Sequence, residues 1–399
     1  MIRSSVRDWM LSMSELREFL LTEVAVCHDS HRRPIRSSDR RPGLYPYYGA
    51  SGVIDYVDGY LFDGEYLLLA EDGENLRTRK TPIAFIADGR FWVNNHAHVL
   101  QGNELASTRY LAYVLQELDL AGFLSGSTQP KLTQSAMSAI RFKLPPRPTQ
   151  DSVVSLISAI DEKASLNNRI VDTALELANA RYAGAMISGG EPRRFALGDL
   201  AQIYDGPHAT PKKTDRGPYF LSISSLGFGS LDLSKSAHLD EASFVAWTRR
   251  VAPGAGDVLF SYETRLGVAA LMPPGVQACL GRRMGILRPK SALVSSSVLL
   301  HAYLASEFQE VIRQKAVHGA TVDRIPLSEL GCWEIVLPDA PSTASLAPVL
   351  HELHERIWLA QRENEALLEL RGALLPRLMS GDLRIRNDAR LNVVQAFVR

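Results

Sequence analysis

The stretch GSTQPKLTQSAMSAIRFKLPP (126–146) returns, in altered form, as GATVDRIPLSELGCWEIVLPD (319–339), 193 residues later. Each copy opens on Gly with Thr two places on, and each closes an apolar alternation with Leu-Pro, at Leu144-Pro145 and Leu337-Pro338. Downstream, Met186-Ile187-Ser188-Gly189 is matched by Leu378-Met379-Ser380-Gly381 at an offset of 192. Two copies of this length are too few and too long for a solenoid, which stacks three or more short repeats. They describe a pseudo-twofold chain of two similar halves.

Within each half the composition changes character once. The first part is mixed. Val53–Val57, Tyr66–Leu69 and Ile83–Ile86 are short apolar runs separated by Gly and Asp, the pattern of strands and turns, and Arg109–Leu115 reads as a helix. Its counterpart has strand-like Val258–Phe260 and Met284–Leu287 and a helix around Leu299–Val311. The second part is one long helix. Prolines 145, 146 and 148, and then 338 and 341, mark where each helix begins. Val153, Ile157, Ile160, Ala164, Asn167, Val171, Ala174 and Ala178 alternate spacings of four and three, a heptad seam. Leu346, Leu350, Leu353, Ile357, Ala360, Asn364, Leu367, Arg371, Leu374 and Leu378 repeat it. Gly189 and Gly381 are the expected C-caps. At about 35 residues, each helix spans roughly 50 Å.

The expected fold is therefore α+β: two α/β domains alternating with two long helices that pair as an antiparallel coiled coil. The boundaries follow as domain one 1–146, helix one 147–189, domain two 190–340, helix two 341–385 and a tail 386–399. One register sets small residues against large: Ala164 opposite Leu367, Ala174 opposite Ile357 and Ala178 opposite Leu353. It also sets Asn167 opposite Asn364, where two buried amides would satisfy each other. The seam residues expected at the interface are Ile157, Ile160, Asn167, Val171, Leu353, Ile357, Asn364 and Leu367.

Composition narrows the function classes. The 399 residues are 46% hydrophobic and 22% charged, as in a globular protein. Lys plus Arg and Asp plus Glu are 44 each, so the net charge is zero, without the basic surplus usual in a free-standing DNA binder. Cys27, Cys279 and Cys332 form neither a CxxC nor a disulfide pattern. No signal-peptide h-region and no apolar run near ~18 residues is present, which reads as cytoplasmic and without membrane contact. The chain has no P-loop, no Asn-Pro-Pro-aromatic tetrad or cofactor-binding glycine motif of an adenine methyltransferase, and no GxSxG, HExxH or kinase signature. No catalytic residue and no cofactor is expected.

The run YPYYGASGVIDYVDGYLFDGEYLLLAEDG (45–73) closely resembles target-recognition domains of type I restriction–modification specificity subunits. So do WVNNHAHVL (92–100), Leu197-Gly198-Asp199-Leu200 and the closing Leu375-Pro376-Arg377-Leu378-Met379-Ser380-Gly381. The resemblance covers nearly the whole chain, from about Leu16 to Ile385. It departs at 16–43, and the second half lacks the Tyr-Tyr-Gly-Ala-Ser-Gly run. The resemblance implies a non-catalytic adaptor in which each target domain reads half of an asymmetric, bipartite double-stranded DNA site. The helices would set the gap and dock two methyltransferase subunits, and the assembly would recruit restriction subunits. S-adenosylmethionine, ATP and Mg would be used by those partners, whose positive charge would also offset the neutral net charge.

The candidate DNA contacts are cations in loops. Arg32, Arg33 and Arg36 lie in a basic run, His31 to Arg41, interrupted by Pro34. Lys212, Lys213 and Arg216 hold the analogous place in the second half, Arg77, Arg79 and Lys80 follow Gly73, and Lys131 and Arg324 sit in the matched glycine loops. Arg forks can read base edges or hold phosphates; the bland alternative for each is a solvated loop. Tyr45, Tyr47 and Tyr48 read as domain core. His96 and His98 would share one strand face as a metal pair, but with no third ligand evident they read as structural, and no metal is expected. Two other classes stay open on the residues alone. A coiled-coil scaffold without DNA contact would tolerate charge reversal at Arg77, Arg79, Lys131 and Arg324. A metal-dependent nuclease using Asp72 and His96 would cleave DNA by itself.

Overall fold

The computed structural model describes residues 16–207, 210–290, 293–319 and 322–385. The chain forms two compact units, residues 1–162 with 369–399, and residues 163–368. The division runs through both long helices, whereas the sequence sets its boundaries at the helix ends. The tail expected at 386–399 lies outside the described residues.

In the first unit the strands are β1 (Arg17–Leu20), β2 (Ala25–Cys27), β3 (Pro42–Gly49), β4 (Gly52–Val57), β5 (Phe62–Asp63), β6 (Tyr66–Ala70), β7 (Ala84–Ala87), β8 (Arg90–Val93), β9 (Ala97–Gly102) and β10 (Arg141–Leu144). One sheet has the order β2-β9-β6-β7, all antiparallel. A second has the order β4-β3-β8-β5, with β3 and β8 parallel. β6 buries Leu67, Leu68, Leu69 and Ala70 completely because helix α1 (Thr108–Glu117) packs on one face of its sheet and an aromatic cluster fills the other. In that cluster Phe62 stacks on Phe91 at 5.3 Å and Tyr48 meets Phe91 edge-on. Tyr47 is 1% exposed, and its hydroxyl accepts from the Ile35 N–H. Of the three tyrosines expected in the core, Tyr47 is buried and Tyr45 and Tyr48 are half-buried, while Tyr56 and Tyr60 further along the run are exposed.

The second unit repeats the plan with β11 (Arg193–Ala196), β12 (Ala201–Asp205), β13 (Thr214–Phe220), β14 (Ala237–His238), β15 (Val258–Ser261), β16 (Ala269–Leu271), β17 (Ala278–Cys279), β18 (Met284–Pro289) and β19 (Glu334–Leu337). Its main sheet, β12-β18-β15-β16, has the connectivity of β2-β9-β6-β7. Its second sheet, β14-β13-β17, again holds one parallel pair. In both units the two ends of the mixed α/β domain meet in a two-stranded antiparallel ladder, β1 with β10 and β11 with β19. The helix expected around Leu299–Val311 is instead two, α2 (Ser296–Leu304) and α3 (Ser306–Lys315). Ala305 turns extended between them (φ −62°, ψ 149°), which seats Tyr303 and Phe308 together against Trp333.

The long helices are Arg147–Ser188, with 42 residues, and Ala340–Ser380, with 41. Pro148 and Pro341 lie inside their first turns, where a missing N–H is harmless. Asp339 starts the second helix by accepting from the Ser342 N–H at 2.7 Å. Within the first unit, Val153, Ile157, Ile160, Leu375 and Leu378 are buried, and Arg371 pairs with Asp161 at 2.8 Å. Within the second unit the helices run antiparallel: Gly189 lies against Ser342, while Asn168 lies against Asn364. Val171 and Ala174 form one cluster with Ile357 and Ala360, Leu353 packs on its edge, and Leu367 is buried. The amides do not pair as the register expects. Asn364 donates to Asn168 Oδ1 at 2.8 Å, and Asn167, 1% exposed, donates to Glu363, which also holds Lys163. The charged Glu363 is the stronger acceptor for a buried amide and draws Asn167 away. Asn364 Oδ1 is left buried without a partner.

Helix α2 is buried all round and brings a histidine against the long helices. His301 Nε2 lies 3.0 Å from His354 Nε2, and His301 Nδ1 lies 2.9 Å from Asn179 Oδ1. An amide oxygen only accepts, so His301 donates from Nδ1 and His354 donates from Nε2. That tautomer leaves His354 Nδ1 a bare lone pair, and it has no hydrogen-bond partner. Burial drives His301 down to about 3 and His354 down to about 4.

Candidate nucleic-acid interface

The end of β6 is the node of the first unit. Glu71 follows it, and the Glu71 carboxylate accepts from Arg32 Nη1 at 2.7 Å and faces Lys131 Nζ at 3.2 Å. Arg32 also reaches Asp29 at 3.1 Å and the Ala97 carbonyl. His98, 1% exposed on β9, completes the network through Asp29 at 2.6 Å and the Leu132 carbonyl at 2.8 Å. Burial pushes the Asp29 carboxyl up, but bonds from His98 and the Val99 N–H hold it below its ordinary value; burial and Arg32 oppose each other at Glu71 with the same outcome. Asp29, Glu71 and His98 lie close enough to hold a metal ion, with ligand atoms within 4.8 Å of one another. Their charges are already matched by Arg32 and Lys131, so an ion would have to displace a guanidinium. His96 faces Asp72 instead, at 2.8 Å, so the two histidines do not converge as a metal pair.

The cations expected to touch DNA fall into two groups. Arg32 is turned inward, with a side chain 14% exposed. Arg79, at φ +50°, donates to the carbonyls of Gln116 and Leu118 and so closes the C-terminal end of α1. Both serve the fold. Arg33, Arg36, Arg77, Lys80 and Lys131 are exposed in the first unit, and Lys212, Lys213, Arg216 and Arg324 in the second. Arg77 donates to the Gly126 carbonyl at 2.9 Å, tying its loop to the glycine loop that carries Lys131.

Lys131 and Arg324 hold one backbone position in two units. Lys131 bridges to Asp72 and to Ser125; Arg324 bridges to Glu263 and to Val317. The next residue donates in each case to the end of the central strand, Leu132 to the Glu71 carbonyl and Ile325 to the Tyr262 carbonyl. Gly126, at φ +85°, makes the tight loop; a Cβ there would lie 2.2 Å from the Gln129 carbonyl oxygen, and at Gly319 one would lie 2.8 Å from that of Val322. Gly126→Ala is expected to destabilise the first unit by more than about 1 kcal/mol, read as a lower urea midpoint. An unchanged midpoint would mean that the loop can relax. The sequence passes over Arg283, which pairs with Glu263 at 2.7 Å; its faint signal is the Gly281-Arg282-Arg283 turn before β18.

Residues 13–175 match the family model of the type I restriction modification DNA specificity domain. A putative type I restriction enzyme specificity subunit of Haemophilus influenzae is 38% identical over 151 residues, which are 38% of this chain and 39% of that relative. The MjaIX specificity subunit of Methanocaldococcus jannaschii is 21% identical over 354 residues, covering 78% of each chain. The crystal structure of a type I restriction–modification S subunit from M. genitalium shares the fold at a TM-score of 0.64 and 11% identity, covering 92% of this chain and 96% of that one. Among the described residues, no helix is long and apolar enough to cross a membrane.

Proposed function

We propose that this chain, whose residues 13–175 match the family model of the type I restriction modification DNA specificity domain, is the DNA-recognition subunit of such a system. Each unit's target domain reads one half of a bipartite, asymmetric site on double-stranded DNA. The observation that carries this reading is the repeated sheet order with different loop residues, since two like scaffolds with unlike loops suit two unlike half-sites. Exposed Arg33, Arg36, Arg77, Lys80, Lys131, Lys212, Lys213, Arg216 and Arg324 supply the contacts. The long helices dock methyltransferase subunits, and restriction subunits join that complex. S-adenosylmethionine, ATP and Mg are used by those partners, and the chain works in the cytoplasm. Its neutral balance of 44 basic and 44 acidic residues fits a reader whose partners hold the phosphates.

Deleting this gene alone, with its methyltransferase still expressed, is expected to abolish adenine methylation at one gapped motif across the genome. Sequencing that detects methylated adenine reads the result directly. Unchanged methylation would overturn the adaptor role.

A further inference from the structure

The correspondence between the units extends past Lys131 and Arg324 to two more side chains. The Glu71 N–H donates to the His96 carbonyl at 2.9 Å, and the Tyr262 N–H donates to the Arg283 carbonyl at 3.0 Å. His96 and Arg283 therefore occupy one position, just before β9 and β18. Asp72 and Glu263 also correspond, each being the residue bridged to the glycine-loop cation. In each unit that carboxylate holds the basic side chain at the corresponding position, His96 on Asp72 at 2.8 Å and Arg283 on Glu263 at 2.7 Å. The side chains stay accessible: His96 is 49% exposed, Lys131 49% and Arg283 38%.

The three positions keep one acidic and two basic residue types between units and change their hydrogen-bonding shape. Aspartate becomes glutamate, imidazole becomes guanidinium, and ammonium becomes guanidinium. An imidazole offers single donors and lysine a point charge, whereas arginine offers a planar fork. The same class of ligand is implied in both units, with a different pattern in each. A phosphate would be served by uncompensated positive charge, and the carboxylates that hold Lys131 and Arg283 oppose that. A donor next to an acceptor instead matches the edge of a base pair, which presents both. The second unit adds a further sign: Thr264 and Arg283 both sit at φ +69°, with the Arg283 guanidinium donating to Thr264 Oγ1. Non-glycine residues at such angles gather at ligand clamps.

We propose that Asp72, His96 and Lys131 in the first unit, and Glu263, Arg283 and Arg324 in the second, are matched base-reading sites that set the sequence of their respective half-sites. This rests on the DNA-recognition reading above. The test uses the full chain assembled with its methyltransferase subunits, on a DNA library randomised around the wild-type motif. His96→Arg with Lys131→Arg gives the first unit the cations of the second, and Arg283→Lys alters the second alone. Each is expected to change preference by ~10-fold or more at one or two base pairs of a single half-site, leaving the other half and the salt dependence as they were. Retained methylation with both half-sites unchanged would overturn the proposal. So would uniform weakening with a shallower salt slope, which marks a phosphate contact. If the charge-preserving variants abolish methylation, Lys131→Gln and Arg283→Gln at low salt are scored for the same half-site shift, and no shift in either overturns the site. A wild-type complex that methylates no gapped motif would instead sink the recognition reading itself, and this site with it.

Discussion

Lowering the pH from 7.5 to 5.0 is expected to remove about 4 kcal/mol from the stability of the second unit, about 2 kcal/mol for each of His301 and His354. Both are buried and neutral when folded, at about 3 and about 4, below the ordinary histidine value of 6.5. The unfolded chain therefore binds protons that the folded one refuses. Stability is full above pH 6.5, and falls through the window from 6.5 toward 4 and then 3. Among the described residues, the hydrogen-bond and ring partners of the pair carry no opposite charge: Asn179 comes from the first long helix, Tyr182 stacks on His301, and Trp358 and the neighbouring basic His351 come from the second. The second unit's own depressed carboxylates, Asp232, Asp240, Glu310, Asp339 and Glu363, lose their contribution only as pH falls through the ordinary carboxylate range, below the comparison of pH 7.5 with 5.0. Urea unfolding of the full chain at a series of pH values reads the effect. His354→Gln should flatten the slope by about half; a flat wild-type profile from 7.5 to 5.0 would show that the pair titrates freely.

Replacing Arg32 with alanine is expected to cost about 3 kcal/mol of first-unit stability, because it strands two partly buried carboxylates without their guanidinium. The Asp29 and Glu71 side chains are only 6% and 13% exposed. Replacing the adjacent Arg33, exposed at the surface, should change stability by less than about 0.5 kcal/mol. Urea midpoints for the two variants decide between a shared role and separate ones. Equal effects would return Arg32 to the surface set.

The contrast between these neighbours shows where the sequence is readable. The repeat was legible because Gly126 is dictated by local backbone geometry and the Leu-Pro endings by the start of a helix. Strands β4, β6 and β7 were legible because Gly and Asp punctuate them, and the seam because burial at Ile157, Ile160, Val171, Ile357 and Leu367 follows a short period. Arg32 was not, since its decisive partner Glu71 lies 39 residues away and leaves no periodic trace. The break at Ala305 was not either: alanine is the best helix former, and tertiary packing of Tyr303 and Phe308 overrides it. The second long helix runs through Pro348 and Pro376, against the usual reading of proline as a stop. His301 and His354 meet across 53 residues. The matched carboxylate and cation at Asp72 and His96, and at Glu263 and Arg283, emerged only when backbone hydrogen bonds aligned the two units.

The two-stranded ladders at the base of each mixed α/β domain have an evolutionary consequence. Because β1 and β10, and likewise β11 and β19, lie side by side, each mixed α/β domain begins and ends at the same point in space. It is attached like a cassette on a pair of pins. A foreign domain with the same two terminal strands can replace it while the long helices keep their seam. Under the proposed recognition role, exchange at these two short junctions would change the sequence read without requiring a new scaffold.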